Sequence, residues 1–317
     1  MTIFVRIASY RDPELVPTLR DCVDKARWPD DLRFGLCWQH DQTESLGIFA
    51  KDRRFRIIDV PYRASGGMCW ARRRCAARYD GESFTLALDS HHRFVQDWDA
   101  ELIKMMELVG SSKPVLTTYP PAYDPGDETR YEKLPNAMAF DRFDSAGPII
   151  MIPTPITNFQ DIDTPLPSRF LAGGFSFSIG SFVEDVLPDP VMYFRGEETS
   201  MGARAFTHGY DLFHPHKIIC WHEYGRQGKP KHWSDHATGV TASWHDLEQR
   251  GLARFRRLFR LDPHNPSEDF GPYGFGTVRS LRDYEHYAGV NFDLQGVEDY
   301  VLSGGPPPNP QLCAAVE

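Results

Sequence analysis

The chain has 317 residues, 41% hydrophobic and 25% charged, which fits one large globular domain or a domain with an appendage. A net charge of -9, with Arg72-Arg73-Arg74 as the one basic run, excludes a phosphate-backbone binder, so no nucleic-acid partner is expected. No apolar run approaches the ~20 residues that span a bilayer, and Met1-Thr2-Ile3-Phe4-Val5 enters a strand with no basic leader. Six cysteines without CxxC spacing predict buried free thiols, and the expected location is the cytoplasm.

Residues 3–8 read as a buried strand closed by Ser9-Tyr10-Arg11-Asp12, with Asp12 as an N-cap and Pro13 as the first helical residue. Leu15, Leu19, Cys22, Val23 and Ala26 then recur at helical spacing, and Pro17 either distorts the first turn or marks the regular start. Strands follow at 32–39 and 55–60, a helix at 68–79, and a short buried strand at 84–88 that stops abruptly in Asp89-Ser90-His91-His92-Arg93. A helix at 98–109 and a strand at 114–119 complete an alternation that implies a mostly parallel sheet covered on both faces. In such sheets ligands bind beyond the carboxyl ends of the strands, where Asp89 lies.

From 121 to 170 the chain is rich in Pro, Asp and Gly and reads as loop with short strands, 149–152 among them. An alternating strand at 175–179, a helix at 197–207 and a strand at 217–221 leading to His222 follow. Residues 226–240 read as mobile, 243–260 as a basic amphipathic helix, and 279–288 as a last helix before a Gly/Pro-rich tail.

Asp89 and His91, two residues apart beyond a buried strand, can turn toward one cation; equally, Asp89 can cap the next turn with His91 on the surface. A divalent ion there would offset the charge that a nucleoside diphosphate gains as it leaves a sugar. Imidazole among the ligands favours Mn²⁺ over Mg²⁺. His222, directly after an apolar strand, is the best placed of the late histidines to join them. Glu197 and Glu198 open a helix, where they either answer its dipole or face an acceptor hydroxyl. Gly173 and Gly174 either let the backbone approach a sugar or form a plain turn. The arginines at 250, 254, 256, 257 and 260 either meet an acidic acceptor or anionic surface, or are simply solvated.

Several motifs, in order over about residues 3–293, resemble the GlcNAc-transferase family, glycosyltransferase family 60. They are Ile3-Phe4-Val5 through Ser9-Tyr10-Arg11-Asp12-Pro13-Glu14, Cys69-Trp70-Ala71-Arg72, and Asp89-Ser90-His91-His92-Arg93-Phe94. Gly196-Glu197-Glu198-Thr199-Ser200-Met201, Thr207-His208-Gly209-Tyr210, His222 and Gly271-Pro272-Tyr273-Gly274-Phe275-Gly276-Thr277 continue them. The family includes a cytoplasmic enzyme that places GlcNAc on hydroxyproline of a ubiquitin-ligase adaptor.

The resemblance implies an α/β GT-A fold, with metal ligands at Asp89, His91 and His222 and donor contacts at Ser9, Tyr10, Arg11, Arg72 and Asp89. It further implies that Glu197 or Glu198 lies beside the donor sugar or acceptor, and the small-residue stretch adds Gly173 and Gly174 to the expected donor contacts. It also implies a UDP-GlcNAc donor, a hydroxyl acceptor (protein, glycan or small molecule) and retention of configuration. The expected layout is a catalytic domain at 1–242, split into a nucleotide-binding half (1–120) and an acceptor-binding half (121–242). A helical extension at 243–295 and a disordered tail at 296–317 follow. A metal-dependent hydrolase, or a sugar-nucleotide-binding protein without catalysis, are the alternatives.

Overall fold

The computed structural model describes residues 1–126, 128–240, 242–261 and 268–308. The strands are β1 (Ile3–Tyr10), β2 (Leu32–His40), β3 (Phe55–Pro61), β4 (Phe84–Leu88), β5 (His92–Phe94), β6 (Pro114–Thr117), β7 (Asn136–Phe143) and β8 (Ile149–Pro155). They continue with β9 (Leu166–Pro167), β10 (Phe175–Ile179), β11 (Asp211–His214), β12 (Cys220–His222), β13 (Val290–Asn291) and β14 (Gly296–Val297). The helices are α1 (Leu15–Asp24), α2 (Met68–Ala76), α3 (Trp98–Leu108), α4 (Phe182–Asp185), α5 (Glu197–Thr207), α6 (His232–Asp235), α7 (Trp244–Leu258), α8 (Leu281–Ala288) and α9 (Asp299–Leu302).

Eight strands form one sheet in the order β3-β2-β1-β4-β10-β6-β11-β9. The first four are mutually parallel, as the strand–helix alternation requires, and β11 runs parallel to β6. β10 is reversed between β4 and β6, and β9 is reversed at the edge. One face of β1 feeds Ile3, Val5 and Ile7 into a core shared with α1 and α3, where Leu15, Leu19, Trp98 and Leu102 are buried. Burying each such side chain contributes about 1.5–3 kcal/mol. Pro17 sits within the first turn of α1, where its missing N–H has no intrahelical partner to lose.

A second core joins α5, α7 and α8 to the β7–β8 hairpin, with Phe206, Phe255, Phe259, Tyr284 and Tyr287 buried together. Ser243 with Asp246 and Ser280 with Asp283 form capping boxes that start α7 and α8. The helix at 243–260 is not a free basic face: Arg254 pairs with the buried Asp189 at 2.5 Å and with Glu268, and Arg257 pairs with Glu268 as well.

Three regions depart from the pattern reading. The segment read mostly as loop at 121–170 holds the long β7–β8 hairpin, and β11 went unread because its four residues are bounded by polar Asp211 and His214. Residues 296–308, expected in a disordered tail, carry β14 paired with β13, the α9 turn, and Gly305 donating to the Tyr300 carbonyl at 2.7 Å. Residues 309–317 of that tail lie outside the described residues. Cys22, Cys37, Cys69, Cys75 and Cys220 are buried free thiols. Among the described residues no helix is long and apolar enough to cross a membrane.

Candidate active site

The site lies at the carboxyl ends of the parallel strands. β4 stops at Leu88 and the chain turns through Asp89-Ser90-His91 into β5. Thr18 of α1 holds this turn, donating to the carbonyls of Ser90 and His92 and accepting the His92 N–H at 3.0 Å. β5 pairs with β12 in a register that sets His222 opposite His92, which carries His222 to the turn.

One ligand atom from each of Asp89, His91 and His222 lies within 4.8 Å of the others, a spacing that suits a single metal ion. Asp89 Oδ2 and His222 Nε2 are 3.3 Å apart, and neither buried ring nitrogen of His222 has a hydrogen-bond partner. Burial lowers the His222 pKa, keeping the ring neutral, as ligation demands. His91 Nδ1 is 2.7 Å from Asp12 Oδ2, which also accepts from Ser90 Oγ at 2.6 Å. Hydrogen bonding from Nδ1 to a carboxylate leaves Nε2 free to ligate, the usual arrangement around a ligating histidine.

Asp12 is therefore more than the helix cap it resembled. Its Oδ1 does accept the Glu14 N–H, but the formal N-cap of α1 is Glu14. Burial pushes the Asp12 carboxyl up, yet His91 and Arg226 outweigh it and hold the pKa below the ordinary carboxylate value. His92, given no role from the sequence, is fully buried and directs Nδ1 at the Asp89 carbonyl.

Arg72, from α2, bridges the two halves of the site: Nη2 meets Asp89 Oδ1 at 2.8 Å and Nη1 meets Glu197 Oε1 at 2.5 Å. Because β10 is antiparallel to β4, Gly173 and Gly174 precede it at the same edge as Asp89. A Cβ on Gly174 would lie 2.7 Å from Asp89 Oδ2, and one on Gly173 would collide with Arg72 and Glu197, so the close approach of these charges requires both glycines. Gly196, with φ 86°, opens α5 against Phe255. Glu198 Oε1 accepts the Gly173 N–H at 2.8 Å and Oε2 accepts Tyr119 Oη at 2.5 Å. Burial, then the neighbouring Glu197 charge, pushes the Glu198 carboxyl up to about 7.

Two adjoining cavities meet at Asp89. One, about 360 Å³, is lined by Arg72, Tyr119, Ile150, Glu197, Glu198 and Tyr224 among others. The other, about 200 Å³, is lined by Tyr10, Gln39, His91, Arg226, Lys231 and Trp233 among others. Of the site residues expected from the sequence, Tyr10, Arg72, Asp89, Gly174, Glu197, Glu198, His91 and His222 line one cavity or the other. Ser9, Arg11 and Gly173 do not line them, and Gly173 lines a smaller cavity instead. The Ser9 carbonyl accepts from Gln39 at 2.9 Å, and Arg11 turns away to Asp41 at 3.0 Å and Asp235 at 2.9 Å.

Asp235 also accepts from Tyr10 Oη at 2.9 Å, and Lys229 pairs with Glu223, so the segment at 226–240, read as mobile, is tied down at several points. Arg226 (φ 39°) reaches within 3.4 Å of Asp12. The sequence reading missed Asp12, Tyr119, Arg226 and Lys231 as site residues. Only Asp12 carried a signal, since it falls within a family motif.

A family model described as Glycosyltransferase (GlcNAc) matches residues 2–53 and 48–294. No curated protein matches the chain. The crystal structure of GalNAc-T7 with UDP, GalNAc and Mn²⁺ superposes over 97% of this chain and 59% of its own, with 17% identity and a TM-score of 0.60. The chain thus spans 59% of that relative's length, and at this identity the likeness establishes the fold, which is of the GT-A type. S. aureus TarS 1–349 aligns over 85% of this chain and 76% of its own at 11% identity, with TM-scores of 0.46 alone and 0.48 with UDP. The family match runs through every element that builds the two cavities, and the chain belongs to the GlcNAc glycosyltransferase family.

Proposed function

We propose that the chain is a metal-dependent transferase that moves a sugar, GlcNAc, from UDP-GlcNAc to a hydroxyl on a protein, glycan or small molecule, with retention at the anomeric carbon. One observation carries this reading: Asp89, His91 and His222 converge where two cavities meet. Two imidazoles and a carboxylate suit Mn²⁺ better than Mg²⁺, and the relative GalNAc-T7 is bound to UDP and Mn²⁺. A bound divalent ion supplies positive charge against the departing diphosphate.

The chain's own residues divide the remaining work between the cavities. In the smaller one, Tyr10 and Trp233 offer ring faces to a nucleobase, and Arg226 and Lys231 offer cations to phosphate oxygens. In the larger one the sugar and acceptor meet Glu197 and Glu198. Glu198, with its pKa near 7, can take or return a proton at Oε2, the oxygen that holds Tyr119. Glu197, held by Arg72, orients the sugar, and Ile149, Met151 and Tyr224 exclude water. In this reading residues 1–120 form the nucleotide half, 121–242 the acceptor half, and 243–295 a supporting extension. The buried free thiols support a reducing compartment such as the cytoplasm.

The test is UDP release from UDP-GlcNAc. Release with Mn²⁺, its loss with EDTA and its loss in Asp89→Ala are expected. Failure to bind any nucleotide sugar in the presence of Mn²⁺ would overturn the reading.

A further inference from the structure

β1 sends alternate residues to opposite faces of the sheet. On the face beneath α2 it carries Phe4, Ala8 and, between them, Arg6. Arg6 is only 5% exposed, and its buried Nε and Nη2 have no hydrogen-bond partner. A guanidinium buried without a partner costs several kcal/mol. Burial lowers its pKa to about 10, so it remains charged at neutral pH. A methionine or leucine would fill the same place in an apolar strand without that cost.

Arg6 opens onto a small cavity of about 20 Å³, lined also by Arg72, Gly173, Ser176, Glu197 and Met201. That is room for a water molecule or two. Arg72 and Glu197 line both this cavity and the larger one at the site, so they form the wall between the two. Glu197 Oε1 faces Arg72 Nη1, while Oε2 takes no hydrogen bond from a protein group among the described residues. Arg72 is shared, its other terminal nitrogen donating to Asp89 Oδ1. Asp89 and Glu197 thus flank Arg72, and Arg6 lines the small cavity together with Arg72 and Glu197.

We propose that Arg6 is a positioning residue for Glu197, acting from behind the site through water held in this cavity. Water accepts from the Arg6 N–H groups and donates to Glu197 Oε2, and the second cation balances the second carboxylate. Glu197 is then held from both sides, by Arg72 at Oε1 and by the water at Oε2. The inference rests on the proposed function only in giving Glu197 a place beside the reacting sugar.

The test uses the full chain with Arg6→Met, which removes the charge and keeps the side-chain length, and Arg6→Lys, which restores the charge. Arg6→Met is expected to lower kcat for UDP release about tenfold or more, while Mn²⁺ affinity by electron paramagnetic resonance stays within about twofold. Its melting temperature should be unchanged or higher, because an unpartnered buried charge has gone. Arg6→Lys should recover most of the rate. A high-resolution crystal structure of the unmodified chain should hold water bonded to both Arg6 and Glu197, and that of Arg6→Met should have Glu197 turned from its present position. The proposal is overturned by a dry cavity, by a kcat within about twofold in Arg6→Met, or by equal losses of rate and melting temperature in both variants. If the unmodified chain does not turn over UDP-GlcNAc, the functional reading fails separately, and the water and the Glu197 orientation still decide the role of Arg6.

Discussion

Substituting Asp12 tests whether His91 is poised as a ligand. In Asp12→Asn the amide has two orientations, and each has a cost. With its oxygen kept on the Glu14 N–H, its NH₂ faces Ser90 and His91 Nδ1, now 2.6 and 2.7 Å from Oδ2. Nδ1 must then accept, so the ring proton moves to Nε2 and blocks the lone pair that would ligate. With the amide flipped, the histidine tautomer is kept but the Glu14 N–H faces another donor, at a cost of about 1 kcal/mol. In both orientations His91 loses its carboxylate partner, and Arg226, 3.4 Å from Oδ2, loses its counter-charge. The expected loss of Mn²⁺ affinity is about tenfold for Asp12→Asn and up to about a hundredfold for Asp12→Ala, or about 1.4 to 2.8 kcal/mol. Titration of free Mn²⁺ by electron paramagnetic resonance measures it directly, with circular dichroism melts to confirm folding. Affinities within about twofold of the unmodified chain in both variants would refute the carboxylate–histidine reasoning.

Glu198→Gln probes the raised carboxyl. With a folded pKa of about 7 against an ordinary 4.5, the unfolded chain ionises first, so stability falls as pH rises between those values. The glutamine variant escapes that loss: it should melt higher than the unmodified chain at pH 8 and show no such advantage below about pH 4.5. An advantage equal at both pH values would contradict the assignment. Gly174→Ala places a Cβ 2.7 Å from Asp89 Oδ2, the oxygen facing His222. Mn²⁺ binding and UDP release should both fall about tenfold or more, with the fold retained, and unchanged Mn²⁺ binding would show that Asp89 can move without penalty.

The parts of the fold that were legible were those whose signal is local. The apolar run at 84–88 stops at Asp89 because a strand ends there, and Glu197–Thr207 is the helix its pattern predicts. The β7–β8 hairpin, of which only 149–152 was read as strand, is half exposed and bulged between Phe140 and Arg142, which breaks the alternation that marks a strand. Asp211 and His214 hid β11 because their partners are distant: Arg279 for one, the Thr117 carbonyl for the other. Within the site, Asp89, His91 and His222 come together as the motifs implied. Asp12 could not be read as the partner of His91, since a helix cap and a carboxylate aimed 79 residues along the chain look alike in sequence. The arginines of α7 read equally as a binding face or a solvated one, because Asp189 and Glu268, the partners of Arg254 and Arg257, lie outside the helical pattern.

The reversed strand β10 also orders events in time. β4 and β6 do not touch each other; each pairs with β10, which lies at 175–179. As the chain leaves the ribosome, β1 to β4 can assemble from near neighbours, but β6 must wait about 60 residues for its first partner. Such long closures are slow relative to local pairing. Gly173 and Gly174 arrive with that closure, and His222 later still. In a four-stranded fragment Asp89 would stand at an open edge, and the candidate metal site needs His222, which follows most of the sheet in the chain.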